Sequence, residues 1–204
     1  MRSRVVLAAV LACAWLVTGC EKEPFTDEDR QQVEKLIGTG VGFQSDPFVR
    51  AETLRALEIL SDPELNDYVT PRVEDESPMV RVAALRVLMA TNGPDVRRQT
   101  LSAFNAADDA TKREILKAGY EYGSPALRRE LTGRALRESD PDLRRLAFEN
   151  GPARRVREAR KKGKTKYLEN SVYPDIGRFV TNRDNILAAK ALELLVDAGQ
   201  KDRA

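Results

Sequence analysis

The hydrophobic positions of this 204-residue chain recur with the spacing of an α-helix, and several periodic segments begin at an Asp-Pro or Ser-Pro pair. Two such apolar stripes are Val49, Leu54, Leu57 and Leu60, and Val80, Ala84, Leu85 and Leu88. Apolar residues at intervals of three and four cover one face of a helix. Asp or Ser before Pro is typical of a helix start, because its side-chain oxygen accepts a backbone hydrogen bond and proline has no N–H to satisfy. No segment shows sustained strand-like alternation, so we predict an all-α protein.

The periodic segments themselves repeat about every 31 residues. The first series contains "DPFVRAETLRALEIL", "SPMVRVAALRVLMA", "DATKREILKAGYEYG" and "DPDLRRLAFENG", which begin at Asp46, Ser77, Asp109 and Asp140. A second series runs between these segments with the same period and is marked by Pro63, Pro94 and Pro125. Two interleaved series predict two helices in each repeat. A single helix pair cannot bury its apolar face, so neighbouring pairs must stack.

The pattern D/S-P-x-V-R-x-x-A-L-x-x-L resembles HEAT repeats, and it is most similar to the short HEAT-like repeats of phycobilisome lyase subunits. The resemblance covers residues 46–151 and implies a right-handed α-α solenoid of HEAT-like helix pairs. We place the repeats at 46–76, 77–108, 109–139 and 140–153. The third copy departs from the pattern, because Thr111-Lys112 replaces the apolar pair. Capping helices are expected at 167–204, including a fifth first helix at Ile186 to Val196.

The beginning of the chain has the pattern of an export signal. Two arginines precede an apolar run of 13 residues, from Val5 to Val17. A membrane span needs about 20 apolar residues, whereas a short apolar run before small residues is typical of a signal peptide. Val17-Thr18-Gly19-Cys20 resembles the lipobox of bacterial lipoproteins. The resemblance implies cleavage between Gly19 and Cys20 and a diacylglycerol on the Cys20 sulfur. The alternatives are a plain secretory signal and a short uncleaved anchor.

This interpretation divides the chain into a signal peptide at 1–19, a lipidated tether at 20–25 and a repeat domain at 26–204. Two or three acyl chains on Cys20 would hold the domain at a membrane, whereas one chain binds only marginally. We therefore expect a lipid-anchored protein on the periplasmic side of a bacterial envelope. Glu21 stands where the family's inner-membrane retention signal has Asp, which favours the outer membrane.

The amino-acid composition argues against several kinds of metal-binding and catalytic site. The chain has no His, and its two cysteines are Cys13 in the signal peptide and Cys20. Zinc, copper and haem sites therefore lose their usual ligands. Ser-His and Cys-His nucleophiles are excluded for the same reason. We predict no catalytic residue, no metal and no cofactor, although a carboxylate-based site stays open.

Acidic and basic residues are distributed unevenly along the chain. Residues 21–76 carry 15 acidic and 6 basic side chains, whereas residues 77–204 carry 17 acidic and 26 basic ones. The two parts have net charges of −9 and +9. Such asymmetry favours an electrostatic partner, or copies that stack head to tail. A solvated surface without a partner is the alternative.

Two arginine pairs, Arg97-Arg98 and Arg128-Arg129, recur 31 residues apart at the predicted starts of second helices. Cations at a helix start oppose the helix dipole, so packing does not require them there. The resemblance implies that second helices line the concave face, which makes the pairs candidates for binding an acidic partner. The alternative is simple surface pairing with acids such as Asp95 or Glu130.

The segment "RRVREARKKGKTK", residues 154–166, contains eight basic residues and one acid. It interrupts the repeat period, so we interpret it as an insertion, which in solenoids often binds a partner. Export argues against nucleic acid and favours anionic lipid headgroups or phosphate-bearing glycans. A solvated loop is the alternative. The candidate residues are Arg154, Arg155, Arg160, Lys161, Lys162 and Lys164.

The most repetitive polar positions are interpreted as structural rather than functional. They are Asp46, Arg50, Ser77, Arg81, Asp109, Arg113, Asp140 and Arg144. The family resemblance implies a ladder between adjacent repeats, and an Asp–Arg pair four residues apart on a helix suits it. The function that we predict is a non-enzymatic scaffold or adaptor with a protein partner. The alternatives are a binder of anionic envelope lipids or glycans, and a lyase-like or other enzyme subunit.

Overall fold

The computed structural model describes residues 27–42, 44–60, 62–93, 95–163, 172 and 176–198, and all regular secondary structure in these residues is helical. The all-α prediction is therefore confirmed for this part of the chain. Two compact units divide between Ala107 and Asp108. Within the described ranges, no helix is both long and apolar enough to cross a membrane.

The first unit is built around a tightly packed pair of long helices. In chain order its elements are α1 (Asp27–Gly40), α2 (Pro47–Leu60), a 3₁₀ turn (Pro63–Leu65), α3 (Asn66–Val69), a second 3₁₀ turn (Thr70–Glu74), α4 (Pro78–Ala90) and α5 (Val96–Ala106). Helix α2 packs chiefly against α4. Residues of the predicted stripes are buried there, including Leu54, Leu57, Leu85 and Leu88.

The helix that the sequence predicts from Pro63 is broken. The sequence predicts a helix from Pro63, but the chain follows a 3₁₀ turn, one α-turn and another 3₁₀ turn. Pro71 lies at the start of the second 3₁₀ turn. Because proline has no N–H, the α-helical hydrogen bond to a carbonyl four residues earlier cannot form, and the chain tightens.

The second unit consists of α6 (Asp109–Tyr122), α7 (Pro125–Ala135), α8 (Pro141–Phe148), a π turn (Glu149–Ala153), α9 (Arg154–Lys161) and α10 (Asn185–Asp197). Its core includes Leu127, Leu131 and Leu143. A second cluster joins α9 and α10 through Phe148, Val156, Leu187, Ala191 and Leu195. Helix α10 covers Ile186 to Val196, where the sequence predicts a helix.

The predicted helix caps are largely confirmed. Side chains of Asp46, Asp62, Ser124 and Asp140 accept hydrogen bonds from the backbone N–H groups of Phe48, Glu64, Leu127 and Asp142. Ser77 precedes α4 but makes no side-chain cap. Helix α6 is capped by Asp108, one residue before the predicted start at Asp109, because Asp108 accepts from the N–H of Thr111 at 2.7 Å.

Residues 154–161, within the predicted insertion, are helical. Helix α8 continues through the π turn into α9, and Ala153 at the junction has helical angles of φ −65° and ψ −41°. Pro152 cannot donate an α-helical hydrogen bond, and a π turn accommodates this loss. Ala153 and Val156 are fully buried beside Phe148. Their burial explains why the basic segment continues the helical path of α8.

Candidate functional site

Arg50, Arg81 and Arg144 donate hydrogen bonds to backbone carbonyls just before their own helices. Arg81 Nη1 donates to the carbonyls of Asp75 and Glu76, at 2.7 and 3.0 Å. Arg144 Nη1 donates in the same way to Glu138 and Ser139, at 2.9 and 2.6 Å. Three arginines thus share one geometry, since Arg50 Nη1 donates to the Ser45 carbonyl.

Arg50 also contacts a side chain that lies far along the sequence. Arg50 donates through Nε and Nη2 to the two carboxylate oxygens of Asp75, both at 2.9 Å. Burial opposes ionisation of Asp75, but the hydrogen bonds from Arg50 and from the Ser77 N–H, with the charges of Arg50 and Arg72, hold its pKa below the usual range. This pair links α2 to the segment before α4.

A similar link occurs in the second unit. Arg145 of α8 donates through Nε and Nη2 to Asp184, at 3.0 and 2.9 Å. Asp184 also caps α10 by accepting from the N–H groups of Ile186 and Leu187. The hydrogen bond from Arg145 is the main cause of the lowered pKa of Asp184. These residues and Arg144 line an open groove of about 440 Å³, in which most charge is already paired.

The first predicted arginine pair lies at the exposed start of α5. Arg98 Nη2 forms an ion pair with Asp95 at 2.8 Å, as the surface-pairing alternative expects. Arg97 is also exposed. In the second unit, Arg128 Nε donates to the Gly123 carbonyl at 2.8 Å, whereas Arg129 is exposed at the start of α7.

The candidate cations of residues 154–162 all lie on α9 or directly after it, and all are exposed. Arg154 Nε is 2.6 Å from Glu158 Oε1. Arg160 donates to the carbonyl of Asp197 at the end of α10. Lys161 and Lys162 form no hydrogen bond or ion pair among the described residues. Sequence reasoning did not select Arg157, whose Nη1 is 3.1 Å from Glu149 and ties α9 to the π turn.

Glu158 is the acid on which three cations converge. The hydrogen bond from Arg154, with the charges of Arg154, Lys162 and Arg128, lowers its pKa. The structure therefore places Arg128 of α7 near the basic helix, although 30 residues separate it from Glu158. Only the tertiary fold creates this proximity. We define the basic surface of α9 as Arg154, Arg155, Arg157, Arg160, Lys161 and Lys162.

A polar groove of about 340 Å³ begins beside this surface and is lined by Lys117, Tyr120, Glu121, Asn150 and Arg154. The Tyr120 hydroxyl donates to the Ala147 carbonyl at 3.2 Å and lies 2.7 Å from Thr132 Oγ1. Burial raises the pKa of Tyr120 to about 12. The hydroxyl is therefore a neutral structural group near neutral pH rather than a nucleophile.

The predicted lipidation and cleavage residues, Cys20 and Gly19, lie outside the described residues, as does Lys164. Within the described ranges, no group of three or more potential metal-ligating side chains is assembled. The features that the structure brings together are therefore ion pairs between helices and one surface rich in cations.

No family model matches this chain, and no curated protein matches it. Among solved structures, the chain is similar to an engineered protein whose crystal structure was determined by the Northeast Structural Genomics Consortium. The two share 16% sequence identity and a TM-score of 0.40 over 84% of this chain and 87% of that chain. A similarity at this level does not define the arrangement of the helices.

Proposed function

We propose that the protein is a lipid-anchored, non-enzymatic scaffold or adaptor that holds a partner protein at a bacterial envelope membrane. Acyl chains on Cys20 provide the attachment, and the helical units face the periplasm, with the outer membrane favoured over the inner. The helix pairs stack as HEAT-like repeats in a right-handed α-α solenoid. The partner is a protein with an acidic surface.

The observation that carries this proposal is the reuse of one set of contacts along the chain. Arg50, Arg81 and Arg144 clamp the carbonyls before their own helices. Within the units, Arg50–Asp75 and Arg145–Asp184 join one helical segment to the next. Modules that bond chiefly to their neighbours are typical of repeat proteins, which present extended surfaces for binding.

The second support is the distribution of the exposed cations. Arg97 and Arg98 stand at the start of α5, and Arg129 stands at the start of α7. A surface charge contributes little to stability, even when it is paired. Recognition of an acidic surface gives these residues a role, because complementary charge speeds association and sets the orientation of the partners.

The anchoring is tested by Cys20→Ser in the full chain expressed in a bacterial host. We expect loss of lipid labelling and transfer of the protein from the membrane fraction to the soluble fraction. Cys13→Ser is the matched control, because it removes a thiol from the predicted signal peptide and leaves attachment intact. Retention and labelling of the Cys20→Ser protein would contradict lipid anchoring at this residue.

The scaffold role is tested by purification of the lipidated protein from detergent-solubilised membranes. Wild type is compared with a triple variant, Arg97→Ala, Arg98→Ala and Arg129→Ala. The control is Arg55→Ala, which removes an exposed arginine paired with Glu52 on α2. We expect at least one co-purifying protein to be lost from the triple variant and kept by the control. Identical sets of proteins in all three preparations would contradict binding through the arginine pairs.

A further inference from the structure

Helix α9 presents an unusual density of exposed positive charge. Its basic surface has six cations and spans a helix of eight residues, about 12 Å, plus Lys162. Glu158 is the one acid within α9. Arg128 adds a further cation near Glu158. The local charge is therefore strongly positive even after the ion pairs of Arg154 and Arg157 are counted.

The opposite side of α9 is fixed in the core. Val156 and Ala153 are fully buried, and Ala159 packs against the same cluster. Glu149 accepts from Arg157 Nη1 and from Lys190 Nζ, which ties the π turn before α9 to α10. The exposed side chains therefore extend from a rigid backbone, so less conformational entropy is lost when they bind.

The six cations cover the exposed side of α9, and one of them, Arg154, also lines the groove described above. A small anion is usually held by donors that converge on it. Long basic side chains spread over the side of a helix suit an extended anionic surface instead. Because the apolar side of α9 is already buried in the protein, this helix has no apolar face left to insert among acyl chains.

We propose that the basic surface of α9 binds the anionic phospholipid headgroups of a bilayer and serves as a second membrane contact. This inference rests on the proposed membrane location, in which acyl chains on Cys20 supply the first contact. Stable attachment commonly combines lipid chains with a polybasic patch. Each cation near an anionic surface strengthens binding about fivefold, and the attraction is screened by salt.

The test uses the mature chain from residue 20 with Cys20→Ser, which contains every described residue and carries no lipid. Its binding to sedimented vesicles is measured for phosphatidylcholine alone and for phosphatidylcholine with 30% phosphatidylglycerol. We expect binding only to the second kind, and release when salt is raised to about 0.5 M, where exposed charges are largely screened. The two lipids differ in headgroup charge, so this comparison isolates electrostatic binding.

The key variant is Lys161→Gln with Lys162→Gln, because both lysines are exposed and neither side chain forms a hydrogen bond or ion pair in the described part of the chain. We expect vesicle affinity to fall about 30-fold, at about fivefold for each cation. The matched control is Arg137→Gln with Arg183→Gln, which removes the same charge from two exposed positions outside α9. Glu158→Gln should act in the opposite direction and raise affinity about fivefold.

Several results would overturn the inference. They are equal binding to neutral and anionic vesicles, binding that persists at 0.5 M salt, and an equal loss of affinity in the two double variants. Binding to a sulfated polysaccharide or to nucleic acid without binding to vesicles would also overturn it in favour of a general polyanion site. Failure of this inference can be distinguished from failure of lipid anchoring. Fractionation of the Cys20→Ser protein tests acylation, whereas the vesicle assay uses protein without acyl chains and tests only the basic surface of α9.

Discussion

Arg50 and Asp75 form a two-point ion pair in which Nε and Nη2 of the guanidinium donate to both carboxylate oxygens at 2.9 Å. The two residues are 25 positions apart, and their side chains are only 7% and 0% exposed. The charge of Arg72 also acts on Asp75. One carboxylate therefore compensates two cations at the junction between α2 and α4.

Replacement of Asp75 by Asn should strongly destabilise the first unit. The amide can still accept from the Ser77 N–H, but it leaves Arg50 and Arg72 without their shared countercharge. Loss of one partner from a buried ion pair costs about 3–5 kcal/mol. Urea unfolding followed by circular dichroism measures this change in the free energy of unfolding.

The control for Asp75→Asn is Glu52→Gln, which removes a charge from the exposed Arg55–Glu52 pair. Exposed pairs contribute about 0–1 kcal/mol, so this variant should unfold almost like wild type. Equal effects of the two substitutions would show that the Arg50–Asp75 pair does not stabilise the contact between α2 and the segment before α4.

Asp184→Asn should reduce the sensitivity of the protein to acid. The pKa of Asp184 in the folded protein is lowered by Arg145 and by its cap hydrogen bonds, whereas an unfolded Asp titrates at about 3.9. A lowered folded pKa stabilises the protein above the unfolded pKa, and this stability is lost as pH falls through the folded value. Wild type should therefore lose more stability than the variant between pH 5 and about pH 2.

The measurement is urea unfolding at several pH values, and Asp67→Asn is the control, because Asp67 is exposed on α3. The control should show the same decrease in stability with acid as wild type. A decrease of equal size in the Asp184→Asn protein would rule out a contribution from the Asp184 carboxylate.

The local chemistry of helix starts was predictable from the sequence, whereas the partners of the repeated arginines were not. Asp46 already accepts from the Phe48 N–H as a helix cap. Arg50 forms its ion pair with Asp75, which is 25 residues later in the sequence but adjacent in the folded protein. A four-residue spacing indicates which side chains can meet on one helix, but it does not identify the ion-pair partners that other segments of the chain supply.

The same contrast between local and long-range information applies to the basic surface of α9. The cations of residues 154–162 were recognised from composition alone, and the pairing of Arg98 with Asp95 was recognised as an alternative. The helical path from α8 through Pro152 into α9 was not predicted, because the repeat period is broken there. The burial of Val156 in a tertiary cluster decided the conformation, and sequence periodicity alone does not supply that information.

Gly119→Ala should destabilise the second unit, although Ala is the better helix former. A Cβ added at Gly119 of α6 would lie 2.3 Å from Leu131 Cδ1, and Leu131 is fully buried in α7. Overpacking of this kind costs about 1–3 kcal/mol. Gly133→Ala is the matched control, because its Cβ would meet only Arg137 nitrogens at 3.9–4.0 Å.

The control should gain about 0.5–1 kcal/mol from the higher helix propensity of Ala. Opposite signs for two Gly→Ala changes on neighbouring helices would separate packing from propensity. Thermal and urea unfolding both report this difference. Stabilisation by Gly119→Ala would show that α6 and α7 are not in close contact at this point.

Tyr120 should titrate well above an unfolded tyrosine. Its pKa of about 12 results from burial, because the ionised phenolate would lose its hydration beside Thr132 and the Ala147 carbonyl. An unfolded tyrosine titrates at about 10, so the contribution of Tyr120 to stability is complete below pH 10 and is lost as pH rises toward 12. Absorbance at 295 nm should show a late transition that disappears in Tyr120→Phe and remains in Tyr122→Phe.

Removal of the buried hydroxyl should also cost about 1 kcal/mol, because the Ala147 carbonyl loses a donor. A late transition that survives in Tyr120→Phe would assign the buried phenol to another tyrosine and exclude Tyr120 from the contact between α6 and α8.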